Sequence, residues 1–300
     1  MAINDEPRIA ADYEPESSRL VRQTCLELAT RLGDFREQMC VVGGLVPSLI
    51  IEQTELGERD EAHVGTIDLD LGLSIVVLHE QLYEEIAKRL TDAGFGPDEN
   101  ESGNTTAQRW RSVQGVTVDF LIPPKKDDDQ GGRLRHLDKS FAAFIIPGLE
   151  LAFEDFETIT IEDDLPAGGR AKREIRVCGP AAFVVLKALA FDNRGASKDA
   201  YDLYYVLKHH RLGAAGIGQH IAKFGGNSSA AKAVSILTRD FSEMDLVGPV
   251  RIAEFLGGLD ENVQADAAGF VRVLLEATGG IGARKEQVND QEPRHTRSDG

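Results

Sequence analysis

Apolar residues follow two different spacings along the first 180 residues of the chain. Recurrence every three or four positions is typical of an amphipathic helix, whereas alternation is typical of a half-buried strand. These patterns predict helices at residues 16–36, 45–53 and 80–93. They predict strands at residues 39–43, 66–74, 107–111, 116–122, 156–161 and 174–178. The strands at 107–111 and 116–122 should form a hairpin.

Beyond Gly179 the apolar spacing is helical only, and it predicts helices at residues 180–191, 197–209, 230–239, 249–256 and 263–277. The segment 282–300 is rich in charge and poor in apolar residues, which predicts a disordered tail. We therefore expect an α+β fold. A small mixed or antiparallel sheet flanked by helices should occupy residues 1–178, and a helical C-terminal domain should occupy residues 179–281.

Composition narrows the class of protein. With 300 residues, of which 42% are hydrophobic, the chain is long enough to bury one or two cores. It contains no apolar run of the ~18 residues that cross a bilayer, and its first residues lack the pattern of a signal peptide, so we expect a cytoplasmic protein without a membrane partner. The cysteines, Cys25, Cys40 and Cys178, lack metal-ligand spacing and are expected to be small core residues.

Two acids and two glycines are the main candidates for chemistry. Asp68 and Asp70 stand at alternate positions of a predicted strand, so their carboxylates point to one face while the apolar residues between and around them bury the other. Gly43 and Gly44 close the preceding apolar strand. Mg²⁺ usually binds through one or two carboxylates plus substrate phosphates, and glycine allows backbone N–H groups to approach phosphate. The combination indicates a nucleotide site.

A third acid, Asp119, lies on the polar face of the predicted strand at residues 116–122. If that strand lies beside the strand of Asp68 and Asp70, the three carboxylates converge and could hold two metal ions ~3.5–4 Å apart. Each acid taken alone could instead be a solvated residue on the outer face of a strand, and a glycine pair after a strand is often only a turn.

Several charged residues have two interpretations. Lys187 lies in an otherwise apolar helix, where its ammonium needs an anionic partner unless its stem covers apolar surface and its head reaches water. Asp199 and Asp202 could share a face or cap the helix. Arg109 and Arg111 could contact phosphate or protect an exposed strand edge. His63 and His79 are expected at the surface.

The order of these motifs resembles a known superfamily. Val42-Gly43-Gly44, then Thr66-Ile67-Asp68-Leu69-Asp70-Leu71, then a late acid is similar to the hG[G/S]…DxD…D signature of DNA polymerase β-like nucleotidyltransferases. The helix of residues 179–191 with Lys187, followed by Lys198-Asp199-Ala200-Tyr201-Asp202-Leu203, resembles the AbiEii/AbiGii toxin-type branch. The resemblance covers roughly residues 39–207.

This resemblance implies an NTP-dependent enzyme. It implies that Gly43 and Gly44 cradle the triphosphate, that Asp68 and Asp70 bind Mg²⁺ with Asp119 as a further ligand, that Lys187 lies near the phosphates, and that Asp199 completes the site. The chain departs from the pattern in its charged insert at residues 55–63 and in having Gly44 where the branch frequently has serine.

The predicted function is Mg²⁺-dependent transfer of a nucleoside monophosphate from an NTP to a hydroxyl. The resemblance makes RNA, with the 3′ end of tRNA first, the acceptor to test, and implies a toxin of a toxin–antitoxin or phage-defence system with a cognate antitoxin. A net charge of −17 opposes binding to a polyanion, so a small-molecule or protein acceptor remains open as well. A non-catalytic nucleotide-binding scaffold is the alternative outside enzymes. Metal-assisted phosphodiester hydrolysis has little support, because no histidine accompanies the acids.

Overall fold

The computed structural model describes residues 7–52, 56, 62–74, 80–99, 102–125, 129 and 131–279. The strands are β1 (Met39–Val42), β2 (Asp68–Leu73), β3 (Gly96–Glu99), β4 (Thr105–Arg111), β5 (Thr117–Ile122), β6 (Leu134–His136), β7 (Ala142–Ile145), β8 (Phe156–Asp164) and β9 (Arg170–Cys178). The helices are α1 (Pro15–Leu32), α2 (Val46–Ile50), α3 (Glu80–Asp92), α4 (Pro180–Arg194), α5 (Ser197–His209), α6 (Gly213–Lys223), α7 (Ser228–Phe241), α8 (Val247–Phe255) and α9 (Glu261–Ala277).

Within these ranges one nine-stranded mixed sheet runs in the order β3-β4-β5-β2-β1-β9-β8, with β7 beside β5 and β6 beside β7. The pairs β2·β5, β1·β9 and β5·β7 are parallel, and the others are antiparallel. Helices flank the sheet, and every regular element between β9 and residue 279 is helical. The predicted fold class is confirmed. The division of domains at residues 178 and 179 stays a prediction.

Alternation along the central strands separates the core from the site. Val118, Phe120 and Ile122 of β5 are fully buried, and the Phe120 ring packs at 4.8 Å from the Phe141 ring. Burial of an aromatic side chain of this size stabilises the fold by about 2–3 kcal/mol. The residues between them, including Asp119, face the opposite side of the sheet. The apolar face of β5 therefore holds the strand in place, and its polar face is left for chemistry.

The structure corrects several predicted elements. The first helix ends at Leu32, because Gly33 takes a positive φ of 56° and a 3-10 segment follows. The short strands β3, β6 and β7 were not predicted, nor was α6. The pattern of α6 is weakened by glycines, one of which is required by packing: a Cβ on Gly218 would lie 2.4 Å from the carbonyl oxygen of Leu274 in α9.

The three cysteines are buried, as predicted for core residues. Burial raises the pKa of the Cys25 and Cys40 thiols to about 12, so both remain protonated and unreactive near neutral pH. In the described part of the chain, no helix combines the length and the apolar character needed to span a membrane. The predicted tail at residues 282–300, His79 and most of the insert at 55–63 lie outside the described residues.

The start of α4 is fixed by a carboxylate cap. Oδ2 of Asp155 accepts hydrogen bonds from the backbone N–H groups of Ala181 and Ala182, both at 2.9 Å. Pro180 occupies the first turn, where its missing N–H costs nothing. The cap joins the helical region to the chain just before β8, and it thereby sets where the residues of α4 meet the sheet.

Candidate active site

The turn of Gly43 and Gly44 lies directly against the strand that carries the paired acids. A Cβ on Gly43, which has a φ of +71°, would lie 1.9 Å from Oδ2 of Asp70. A Cβ on Gly44 would lie 2.6 Å from Oγ1 of Thr66. Neither position accepts a side chain without displacing the residue beneath it. The glycine pair is therefore needed for the close approach of its backbone to Asp70 and Thr66.

The three predicted acids lie together on one face of the sheet. In the parallel pair β2·β5, Asp70 is opposite Asp119 and Asp68 is opposite Thr117. Oγ1 of Thr66 donates to Oδ1 of Asp68 at 2.7 Å. Burial raises the pKa of Asp70 well above its ordinary value, and the negative charges of Asp68 and Asp119 raise it further. The strand pairing on which the prediction depended is thus present, and it concentrates negative charge around Asp70.

Asp119 is held by an arginine from the neighbouring strand. Nε and Nη2 of Arg109 donate to Oδ1 and Oδ2 of Asp119 at 2.8 and 2.6 Å. The hydrogen bonds to Asp119 raise the pKa of the Arg109 guanidinium. Arg111 pairs in the same way with Asp98 of β3. The interpretation of these arginines as protection of a strand edge is wrong, because β4 lies between β3 and β5.

Within the described residues, no group of three or more His, Cys, Asp or Glu side chains is arranged to hold a metal ion. Both oxygens of Asp119 are engaged by Arg109. The assignment of Asp119 as a third metal ligand therefore stays a prediction. Asp70 is the acid against which Gly43 packs.

Lys187 belongs to a second cluster of charged residues, which lies where α4 and α5 meet. Its Nζ donates to Oδ1 of Asp199 at 2.9 Å and contacts Oδ2 of Asp202 at 2.8 Å. Only 7% of its side chain is exposed, so the interpretation with a solvated head is wrong. Burial by itself lowers the pKa of this ammonium, but Asp199 and Asp202 more than compensate and raise it. Lys187 is a charged, doubly paired residue whose charge also lowers the pKa of Asp70.

His63 is the clearest correction, because it was expected at the surface and its side chain is fully buried. The ring packs against Tyr201 and Tyr205 at 5.4 and 4.9 Å. Nε2 lies 2.8 Å from Oδ1 of Asp202, and Nδ1 accepts the backbone N–H of Gly65 at 3.1 Å. These partners place the proton on Nε2. His63 thus connects α5 to the segment that leads into β2.

Two further cations complete this cluster and were missed by the sequence reasoning. Arg194 donates from Nε and Nη2 to the two oxygens of Asp199 at 2.6 and 2.8 Å. Lys198 forms an i,i+4 ion pair with Asp202. The sequence contains a signal for both pairs. Lys198 stands four positions before Asp202 on a predicted helix, and Asp199 of the same helix follows Arg194 by five positions.

Burial of His63 predicts a pH-dependent stability. Burial and the charge of Lys198 lower the pKa of His63 from 6.5 to about 4, against the opposing effect of Asp202. Between these values the unfolded chain binds a proton that the folded protein does not, so stability falls as the pH falls from 6.5 to 4. The loss should approach ~3 kcal/mol in total. Urea unfolding of the protein and of His63→Gln at several pH values measures it, because only the difference between the two curves reports His63. Parallel curves would contradict the prediction.

Comparison with known proteins places the chain in a family. The sequence profile of a nucleotidyltransferase family matches residues 21–208, so the chain belongs to that nucleotidyltransferase family. The matched range contains every residue of the site described above. Among curated proteins, none is significantly similar to the chain. The crystal structure of JHP933 from Helicobacter pylori matches with 11% identity, over 89% of this chain and 95% of that chain, with a TM-score of 0.37. A likeness of that size has no bearing on the function of this protein.

Proposed function

We propose that this nucleotidyltransferase moves a nucleoside monophosphate from an NTP to a hydroxyl acceptor, with release of pyrophosphate and with Mg²⁺ as cofactor. The observation that supports it most is the close packing of Gly43 on Asp70, where an added Cβ would lie 1.9 Å from Oδ2 of the carboxylate. A glycine backbone packed against a carboxylate offers N–H donors beside a metal position, which suits a polyphosphate bound with its cation.

The residues present fit a divalent cation. Asp68 and Asp70 would hold it, since their carboxylates share a face and Asp119 is engaged by Arg109. Burial and the adjacent carboxylates disfavour the charge of Asp70, and a nearby cation would relieve that cost. When bound, the ion would neutralise phosphate charge during an in-line displacement.

The remaining residues of the site would act by binding and orientation. The backbone of Gly43 and Gly44 would cradle the triphosphate. Lys187 would add positive charge beside Asp70 while it holds Asp199 and Asp202 in place. The acceptor hydroxyl would attack the α-phosphorus and release its proton to solvent, and pyrophosphate would leave as its bond to the α-phosphorus breaks.

The acceptor we propose first is RNA, with the 3′ end of tRNA as the leading candidate. The support is the resemblance of the Lys187 helix and the Lys198-Asp199 segment to the AbiEii/AbiGii toxin-type branch. In that setting the protein would be a toxin, partnered by a cognate antitoxin. The net charge of −17 weakens long-range attraction to RNA. A small molecule or a protein is therefore the alternative acceptor to test beside RNA.

A labelling assay tests the proposed function. We expect label from one of the four α-labelled NTPs to appear in total RNA when protein and Mg²⁺ are present, and to disappear when EDTA removes the metal. Label in lysate protein, or in the enzyme itself, would replace RNA as the acceptor. Transfer that persists in EDTA would contradict the metal assignment. Measurable NTP binding without transfer to RNA, protein or small molecules would favour a non-catalytic scaffold.

A further inference from the structure

An ion pair between neighbouring strands engages the third acid of the site. Arg109 stands directly opposite Asp119 in the antiparallel pair β4·β5. Facing residues of such a pair have Cβ atoms about 4.5–5.5 Å apart, so the two side chains meet across the sheet. Nε and Nη2 of Arg109 donate to the two carboxylate oxygens at 2.8 and 2.6 Å, which fixes the plane of the guanidinium as well as its position. The register of the sheet therefore places this arginine on Asp119.

The same carboxylate faces the paired acids of β2. On its other side, Asp119 is opposite Asp70 in the parallel pair β2·β5. The hydrogen bonds to Asp119 raise the pKa of the Arg109 guanidinium, and the charges of Asp68 and Asp98 raise it further. The guanidinium is thus within electrostatic range of Asp68 as well as in contact with Asp119. Arg109 belongs to the acid site and is more than a surface ion pair.

A second divalent cation would need the carboxylate that Arg109 engages. The two ions of a two-metal site lie ~3.5–4 Å apart, so an ion beside the pair on β2 would take the oxygens of Asp119. At the ~2.0–2.1 Å typical of Mg²⁺, that ion would lie within ~5 Å of guanidinium nitrogens that are 2.6 and 2.8 Å from the same oxygens. Only 10% of the Asp119 side chain is exposed, so water screens the repulsion poorly.

Arg109 cannot admit an ion by losing its charge, because a guanidinium is not deprotonated in proteins. It would have to leave Asp119 and give up two charge-assisted hydrogen bonds. In the part of the chain that the structure describes, nowhere do three His, Cys, Asp or Glu side chains surround a common ion position. Asp68 and Asp70 are therefore the carboxylates left to bind a cation.

We propose that the acid site holds one divalent cation, on Asp68 and Asp70, and that the guanidinium of Arg109 supplies a fixed positive charge at Asp119 in place of a second ion. The inference rests on the proposed function, because it assumes that these acids bind the cation of an NTP. Arg109 on this view acts through Asp119, and it determines how many metal ions the site accepts.

Electron paramagnetic resonance of bound Mn²⁺ counts the ions, since Mn²⁺ takes the same oxygen ligands as Mg²⁺. Two Mn²⁺ ions ~3.5–4 Å apart couple magnetically and give a spectrum unlike that of a single ion. We expect one uncoupled ion per chain at the acids, both in the protein alone and with each of the four NTPs. The double variant Asp68→Asn, Asp70→Asn lacks the proposed ligands, so its titration gives the Mn²⁺ bound elsewhere, which is subtracted.

Removing the guanidinium should open the second position. Arg109→Gln is expected to bind two ions with a coupled spectrum, and adding Asp119→Asn should abolish the second ion. The matched control is Arg111→Gln, because Arg111 of the same strand donates to both oxygens of Asp98 at 2.7 and 2.9 Å, and the Asp98 side chain is likewise 10% exposed. Asp98 lies on β3, which is not adjacent to β2, so this control should still bind one uncoupled ion.

A second variant applies if Arg109→Gln does not fold by circular dichroism. Arg109→Gln combined with Asp119→Asn removes both charges of the pair together and leaves no carboxylate unpaired. It should bind one ion with nearly the affinity of the unmodified protein, since neither residue is a ligand. A loss of Mn²⁺ affinity of about tenfold or more would show that Asp119 is a ligand, and would overturn the inference.

The outcomes separate the two proposals. A coupled two-ion spectrum from the unmodified protein, or a single ion in folded Arg109→Gln, overturns the inference and leaves the proposed function standing. If the unmodified protein binds no more Mn²⁺ than the variant without Asp68 and Asp70, alone or with any NTP, the metal assignment of the proposed function fails, and the inference fails with it.

Discussion

Replacing Lys187 with methionine is expected to destabilise the protein by about 3–5 kcal/mol. Methionine preserves most of the apolar stem but removes the ammonium that contacts Asp199 and Asp202 at 2.9 and 2.8 Å. Both carboxylates are fully buried, and removing one member of a buried ionic cluster leaves charge that water cannot solvate. Urea unfolding followed by circular dichroism measures the change.

The matched control for this prediction is Lys223→Met, since Lys223 lies on the exposed face of α6. We expect it to change the free energy of unfolding by no more than about 0.5 kcal/mol. A loss below about 1 kcal/mol for Lys187→Met would mean that Arg194 and Lys198 alone satisfy the two carboxylates. In that case Lys187 would not be the structural centre of the cluster.

The acids of the site were predictable because their arrangement is local. Alternation in β2 and β5 determines which side chains share a face, so Asp68, Asp70 and Asp119 follow from the period of a strand. The pairing of β2 with β5 was assumed, and the structure confirms it. Glycine is needed at residues 43 and 44 because the turn after β1 packs directly on Thr66 and Asp70.

The partners of those acids depend on contacts that local patterns do not encode. His63 and Asp202 are 139 residues apart, and nothing near His63 in the sequence indicates that tyrosines of α5 enclose it. Arg109 is only ten residues from Asp119, yet its role was missed with β3. That strand begins Gly96-Pro97, a pair that strands disfavour, so the sequence leaves an exposed edge at β4 as one interpretation.

The same concentration of charge that would serve chemistry works against stability. Three carboxylates meet on one face, and the pKa of Asp70 is raised by burial and by its acidic neighbours. Natural sites commonly retain such unfavourable groups because the ligand needs them. A substitution that removes the charge of Asp70 should therefore separate function from stability.

Asp70→Asn is expected to lower the rate of nucleotide transfer by about 10²- to 10³-fold or more, a loss typical of one electrostatic contact in a transition state. The amide keeps the shape beneath Gly43 but binds a divalent cation poorly. The pKa of Asp70 is raised in the folded protein, so its ionisation costs the folded state more free energy than the unfolded chain. The free energy of unfolding of the unmodified protein therefore falls as the pH rises. The melting temperature of Asp70→Asn should therefore exceed that of the unmodified protein at pH 8, and the difference should shrink toward pH 5.

Transfer of α-labelled nucleotide and thermal melting, measured on the same preparations, give the two readouts. Asp266→Asn is the matched control, because Asp266 is exposed on α9, and it should leave both unchanged. A slower variant with a lower melting temperature would make Asp70 a structural residue whose loss disturbs the site indirectly. An undiminished rate would remove Asp70 from the cation site, since a carboxylate that holds the metal and the phosphates together has no neutral substitute.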